Sequence, residues 1–336
     1  MAICLACLSL WIFVAISSTI AILHFLRKLK LPNIENRPVF ITGCDSGFGK
    51  SLTLRLIGEK IPVFAGCLTE TSRKDLEKEA GENLKYLKTL ILDVTDDQSV
   101  KESVEIVKNG LDGKKLWAVV NNAGILLYEG AAEWIPIESY KKTIDVNTYG
   151  IIRVCNAFLP LLRESKGRIV TVISCAGRLA TSPLTTYSVS KYAAEAYIDC
   201  LRREVCHFGI SCHILEPGVY KTSIVLTKTR FPHSRNAFDN LPEEVKQIYG
   251  ENYLKQMDER FYQILEAKAN PRIEEVVEAY YHAITSKFPK LRYAVGLDAK
   301  LVYVPASFLP TWIQDLIISV MNLDPVPDFV KKNKNE

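Results

Sequence analysis

Between residues 37 and 218 the chain carries six short apolar runs, RPVFITG, IPVFAGC, LKTLILDV, KLWAVVNNAG, GRIVTVIS and ISCHILEPG. Each is separated from the next by sequence of helical period. Runs this short and this continuously apolar suit strands buried on both faces. Helical crossovers between them make the pairing parallel. The pattern predicts a doubly wound α/β domain, a parallel sheet with helices on both faces. The chain has 336 residues, 48% hydrophobic and 24% charged, enough for one sizeable core. The net charge is +4, from 42 basic and 38 acidic side chains that are scattered rather than striped. Nucleic acid is therefore not an expected partner.

From Ala2 to Leu23 no residue is charged, and as a helix this run measures about 33 Å. It is longer than a signal-peptide core, lacks a basic start and shows no small-x-small cleavage site. The expectation is an N-terminal transmembrane anchor, residues 1–31 with its basic flank. Arg27, Lys28 and Lys30 follow the run, which places the next domain on the cytosolic side. The absence of an N-x-[ST] sequon and of paired cysteines agrees with that side. Apart from Cys4 and Cys7 within the uncharged N-terminal run, the nine cysteines form no CxxC pair, and they read as small, reduced core residues. The five histidines lack ligand spacing and read as structural, so no metal is expected.

From Val219 to about Ile273 the sequence becomes polar and helix-forming, with Pro242 and the acidic pair Glu243–Glu244 as an opening signal. Such an insertion would form a helical lid over the carboxyl edge of the sheet, where ligands bind. Residues 300–321 are apolar again, but Pro305, Pro310 and Asp315 interrupt them. An apolar flap or interfacial helix is expected there, followed by a polar tail to residue 336.

The first run ends in TGCDSGFGKSL, a strand-to-helix turn with the glycine pattern G-x-x-x-G-x-G. Glycines allow positive φ and close backbone approach, and the following helix N-terminus attracts a pyrophosphate. Gly43, Ser46, Gly47, Phe48 and Gly49 are therefore candidate dinucleotide contacts. At the end of the second run, Cys67 and Leu68 offer nothing to pair with a 2′-phosphate, which favours NAD over NADP. Asp93, closing the third run, is placed to accept from the adenine amino group or to cap the next helix. NNAG closes the fourth run; Asn121, Ala123 and Gly124 are candidate cofactor contacts, with a plain turn as the structural alternative.

Ser174 ends the fifth run, thirteen residues before Tyr187. In YSVSK, Lys191 follows Tyr187 by one helical turn, so both face the same way. A phenol of pKa about 10 needs a nearby cation to act as a base at neutral pH. With Lys191 beside it, Tyr187 could take a hydroxyl proton while a hydride leaves the same carbon, with Ser174 holding the oxygen.

This ordered set, TGxxxGxG, NNAG, Ser, YxxxK and then Pro217–Gly218, resembles the short-chain dehydrogenase/reductase superfamily over roughly residues 36–300, which implies a Rossmann fold. The resemblance implies that Asn147 completes a catalytic tetrad by holding a water in a relay from the lysine. It also implies that Thr222 contacts the nicotinamide carboxamide and that Pro217, Gly218, Tyr187 and Lys191 are cofactor contacts as well. More narrowly, TGCDSGFG, AGCLTE and LRYAVGLDAKLVYVPASFLP are similar to the membrane-anchored retinol and hydroxysteroid dehydrogenases. That likeness implies an NAD-preferring enzyme of the endoplasmic reticulum, acting on a lipophilic alcohol, and a homodimer formed partly through the YSVSK helix. LPEEVKQIYGENYL is also similar to the mitochondrial D-β-hydroxybutyrate dehydrogenase. A small hydroxy acid is thus an alternative substrate, needing a cationic clamp such as Arg230, Arg235 or Lys221. A third reading, a non-catalytic NAD-binding membrane scaffold, would predict a damaged tetrad.

Overall fold

The computed structural model describes residues 2–127, 130–222, 231–320 and 325–333. All six apolar runs become strands: β1 Val39–Ile41, β2 Val63–Cys67, β3 Leu87–Ile91, β4 Ala118–Asn121, β5 Arg168–Val172 and β6 Ser211–Pro217. The periodicity gave no sign of a seventh strand, β7 Arg292–Val295, which has only four residues and pairs with β6 at the sheet edge. The strands are parallel throughout, in the order β3-β2-β1-β4-β5-β6-β7. The order reverses between β1 and β4, and a crevice opens at the carboxyl ends of strands at such a reversal.

Side-chain alternation divides the core between the two faces. Val39 and Ile41 pack with α2 (Gly47–Gly58) and a later helix, Glu274–Thr285. Phe40 points the other way, among side chains of α4 (Asp97–Gly110), α6 (Gly150–Ser165) and α7 (Thr185–Val205). There it stacks on Phe158 with ring centroids 4.3 Å apart. Full burial of such a ring contributes about 1.5–3 kcal/mol. α3 (Glu70–Ala80) and α5 (Ile137–Ile144) complete the helical layers before residue 206.

The segment after β6 forms α8 (Phe231–Asp239), α9 (Glu243–Tyr249) and α10 (Glu251–Lys268). Pro242 is the N-cap of α9, as its sequence signal implies. Phe238, Leu254, Met257 and Phe261 gather around Trp134 in a small core separate from the sheet. Then come α11 (Glu274–Thr285), β7, a wide helical turn at Ala299–Tyr303, and α12 (Thr311–Val320). The last two, with the link between them, expose Leu301, Phe308, Trp312 and Leu316 along this apolar stretch.

Ala2–Arg27 is one continuous helix, α1. Among the described residues no helix is long and apolar enough to cross a membrane. The link at Leu31–Asn36 is not slack: Leu31 donates to Thr285 O at 2.8 Å and Lys287 donates to Leu29 O at 2.7 Å. Seven cysteines have described side chains and all seven are free; five are buried, but Cys200 and Cys206 are exposed. They sit on the outward side of an amphipathic helix end, so the core reading fails for these two. His213 and His282 are structural as expected, each bonded through both ring nitrogens.

Candidate active site

The turn after β1 needs glycine at Gly43. Its φ is +68°, and a Cβ there would stand 2.7 Å from the Cα of Ala123. Ala123 is held that close by Thr42, whose hydroxyl accepts from Asn122 N at 3.1 Å and Ala123 N at 3.0 Å. The Asn122 amide returns two bonds, to Thr42 O at 3.1 Å and Gly43 O at 2.9 Å. Its Oδ1 accepts from the buried Tyr280 hydroxyl at 3.1 Å. The glycine turn and NNAG therefore form one clamped unit, above which the N-terminus of α2 opens.

A cleft of about 630 Å³ lies on that unit, at the β1–β4 reversal. Of the predicted cofactor contacts, Gly43, Ser46, Gly47, Phe48, Asp93, Ala123, Gly124 and Thr222 line it. Two do not. Asn121 is still within β4, so alternation sends its side chain under the sheet, where it donates to Thr171 Oγ1 and Cys155 Sγ, both at 3.2 Å. Asn122, one residue on, faces the cleft in its place. Gly49 lies buried inside α2 against the Asn122 amide, behind the cleft wall. Asp93 is not a helix cap: Asp96 caps α4, while Asp93 Oδ1 accepts from Thr95 N at 2.8 Å and Thr95 Oγ1 at 2.7 Å.

At the β2 end of the cleft the structure supplies a carboxylate that the Cys67–Leu68 reading missed. Asp45, from the glycine turn, accepts from Leu68 N at 2.9 Å and Thr69 N at 3.3 Å. Cys67 is buried beneath, its thiol pushed up to about 12 by burial.

Ser174, Tyr187, Lys191, Pro217, Gly218 and Thr222 meet in a smaller cavity of about 100 Å³ that also includes Gly124. Tyr187 lies in the first turn of α7, and the Lys191 ammonium sits 5.5 Å from the centroid of its ring. Lys191 is buried and donates to Val172 O at 3.3 Å. Burial holds its ammonium down to about 8. Ser174 caps the short turn that follows β5, accepting from Ala176 N at 3.1 Å. Asn147 sits in a π-helical turn, Asp145–Tyr149, between α5 and α6, a local widening common at functional sites. It is wholly buried, exchanges two bonds with the Ile125 backbone at 2.8 Å each and donates to Ser190 Oγ at 3.0 Å. A Cβ on Gly124 would lie 3.2 Å from Asn147 Oδ1 and 3.6 Å from Lys191 Nζ, so all three border one small space.

A second chamber, about 80 Å³, shares Ser174 and Tyr187 as wall and extends between Leu126, Leu179, Leu184, Val219, Phe261 and Leu265. Gly218 admits no side chain, because a Cβ would overlap the Asp298 carboxylate at 2.0 Å. Asp298 in turn accepts from Val219 N at 2.8 Å and so fixes the turn after β6. Neither Asp298 nor Tyr280 was foreseen: both act from far along the chain, and no local spacing marks them. His233 on α8, which reaches the cofactor-side cleft, was read only as structural. Arg230 lies outside the described residues; Arg235 is exposed and paired with Glu251 at 2.9 Å. Among the described residues, no group of three or more His, Cys, Asp or Glu could hold a metal ion.

A reversed parallel sheet, a clamped glycine turn and a Ser-Tyr-Lys-Asn cluster define a nucleotide-dependent oxidoreductase site. Residues 37–232 match the family model described as short chain dehydrogenase. A 3beta-hydroxysteroid dehydrogenase of Caenorhabditis elegans is 39% identical over 315 residues, which is 90% of this chain and 81% of the relative. Retinol dehydrogenase 16 of Mus musculus is 36% identical over 318 residues, covering 94% of this chain and 99% of the relative. Among solved structures, a short chain dehydrogenase/reductase from Burkholderia phymatum in complex with NAD aligns with a TM-score of 0.66. It is 17% identical and covers 82% of this chain and 94% of that one. A short chain dehydrogenase from Burkholderia cenocepacia in complex with NADP aligns at 0.64, with 18% identity, covering 85% of this chain and 98% of that one. At such identities the two structures speak to the fold alone. The chain belongs to the short-chain dehydrogenase/reductase family and, within it, to the retinol and hydroxysteroid dehydrogenase subfamily, whose members are oxidoreductases acting on CH–OH groups.

Proposed function

We propose that the protein is an NAD-dependent dehydrogenase of a lipophilic alcohol, a hydroxysteroid or a retinoid, working at a membrane. The observation that carries this reading is the shared wall: Ser174 and Tyr187 stand between the cofactor-side cavity and a chamber otherwise lined mostly by aliphatic and aromatic side chains. The dinucleotide, when bound, supplies the hydride acceptor. Tyr187, as a phenolate stabilised by Lys191, would take the proton of the substrate alcohol and become the phenol, while Ser174 donates to the substrate oxygen. Asn147 holds the proton path behind Lys191, using the backbone of Ile125 as its frame.

Several features favour NAD and an apolar substrate. Asp45 puts negative charge at the end of β2, where a ribose hydroxyl would be accepted and a 2′-phosphate repelled. Among the described residues no lysine or arginine lines the apolar chamber, which favours an apolar substrate over a carboxylate. The names of the relatives above favour the same substrate class. α8–α10 act as the lid, contributing Phe261 and Leu265 to the chamber. The domains are an anchor over 1–31, the dehydrogenase domain over 36–300 and an apolar flap with polar tail over 301–336.

Membrane attachment through α1 is supported by its outward display of Trp11, Phe13, Ile16, Ile22 and Phe25. The likeness to the retinol and hydroxysteroid dehydrogenases favours the endoplasmic reticulum, and the basic flank at Arg27, Lys28 and Lys30 supports a cytosolic catalytic domain. A homodimer through α7 is consistent with exposed Val189 and Tyr192 on that helix. The test is a steady-state assay of the membrane fraction with NAD and NADP against hydroxysteroids, retinol and 3-hydroxybutyrate. Turnover of a lipophilic alcohol with NAD is expected; turnover of 3-hydroxybutyrate alone would overturn the substrate class, and none with any substrate would favour a scaffold.

A further inference from the structure

A third cavity, about 580 Å³, lies at the β7 edge of the sheet and shares no lining residue with the cavities of the chemistry. It forms where the C-terminal end of α1 meets α11, β7 and the turn after it, so His24, Arg27 and Lys28 share its wall with Lys290 and Lys300. The junction is built rather than incidental. Ser286 Oγ donates to Arg27 O at 2.8 Å, a His282 ring nitrogen lies 2.9 Å from the same oxygen, and Lys30 Nζ donates to Tyr281 OH at 2.9 Å. Lys30 also bridges to Ser286 through the backbone.

The charge of this cavity is strongly one-sided. Among the described lining residues the one carboxylate is Glu275, which pairs with its neighbour Arg272 at 2.8 Å. Arg27, Lys28, Lys290 and Lys300 have no carboxylate partner among the described residues. Burial, then the positive charges of Arg27 and Lys300, hold the Lys290 ammonium below its ordinary range, so these cations do face one another. Like charges gathered in one concavity make a site for an anion.

Apolar surface adjoins it on two sides. Leu297 lines the cavity at 70% exposure, Leu301 one turn on is 71% exposed, and Phe25 on α1 is 67% exposed. A free anion would gain nothing from these side chains, whereas acyl chains would cover them. We infer that the cavity binds the phosphate-bearing headgroup of an anionic phospholipid, seating the catalytic domain on the bilayer surface at the foot of α1. The inference takes its setting from the membrane-attachment reading, but the site can be read without a bilayer.

The test uses the full chain in neutral detergent micelles, titrated with short-chain phosphatidylserine, short-chain phosphatidylcholine or inorganic phosphate, with Tm as readout. Phosphatidylserine is expected to raise Tm saturably, with little response to phosphatidylcholine. In the variant Lys290→Ala/Lys300→Ala the half-saturating concentration should rise roughly thirtyfold, on the scale of two lost cations beside an anionic lipid. Lys290→Arg/Lys300→Arg should retain the response, as should Lys101→Ala/Lys108→Ala, which removes the same charge from α4. Lys290 and Lys300 are both exposed, and dehydrogenase turnover of the alanine variant reports that it has folded. An equal response to phosphatidylcholine, an unaltered response in the alanine variant, or an equal Tm rise with inorganic phosphate at the same concentration would overturn the inference. Flotation of the wild-type chain with phosphatidylcholine vesicles tests α1 separately, so failure of the anchor and failure of the site are distinguishable.

Discussion

Lys191 places its ammonium 5.5 Å from the centre of the Tyr187 ring and is bound there by one carbonyl, Val172 O at 3.3 Å. A buried cation with so little compensation is a cost to the fold. Its pKa falls from 10.5 to about 8 on folding, so between those values the unfolded chain binds more protons than the native one. Wild-type stability should then rise with pH across that window, and the full cost, about 3 kcal/mol, is present below about pH 8. Lys191→Met is expected to abolish turnover yet raise the Tm of the cofactor-free protein at pH 7, with the gain shrinking from about pH 8 to 10.5. A variant less stable than wild type at pH 7 would refute the argument.

Tyr187→Phe removes one hydroxyl and keeps the ring that walls both cavities. Turnover should fall by about 10³-fold or more, on the scale of a lost general base. NAD affinity, measured by fluorescence quenching or calorimetry, should stay within about threefold. Comparable losses in both would mean that the ring, and not the hydroxyl, is what the site uses.

Asp45 reaches across from the glycine turn to the backbone at Leu68 and Thr69. Asp45→Ala should weaken NAD and relieve repulsion of a 2′-phosphate, narrowing the NAD:NADP preference in kcat/KM by about tenfold or more. An unchanged ratio would remove the carboxylate from cofactor choice.

Much of this was legible because local chemistry marks it. The β1 turn advertises itself through Gly43, since the backbone conformation there admits little else, and Tyr187–Lys191 is one turn of helix. Six strands were visible as buried apolar runs. β7 was not, because four residues at a sheet edge leave no period to read. Asn121 was misread for a related reason: NNAG straddles the end of β4, and only the register decides which asparagine faces the cleft. Asp45 was passed over because the position expected to read the ribose was sought at the end of β2, while the carboxylate arrives from the neighbouring turn. Asp298 and Tyr280 support the site from more than 75 residues away in sequence, a distance at which spacing carries no information.

The same long reach governs a buried ion cluster behind the Ser174 turn. Arg292 on β7 contacts Glu195 at 2.5 Å, Glu216 at 2.6 Å and Asp199 at 2.6 Å, and Arg178 adds Glu195 at 3.2 Å. Glu216 is 2% and Glu195 8% exposed, so their charges depend on these two guanidiniums. Burial already holds the Glu195 carboxyl above its ordinary range. Arg292→Met should leave both carboxylates undercompensated and destabilise the protein by about 3–5 kcal/mol at pH 7, a Tm loss of roughly 6–15 °C. Because a buried carboxyl whose pKa is raised costs stability above that pKa, the deficit should shrink as pH falls from 7 towards 5. Adding Glu216→Gln to Arg292→Met should recover part of the loss by removing one unpaired charge. Chemical denaturation of the three proteins at pH 7 and pH 5 checks this, and a loss below about 1 kcal/mol, or one indifferent to pH, would show that Arg178 alone suffices.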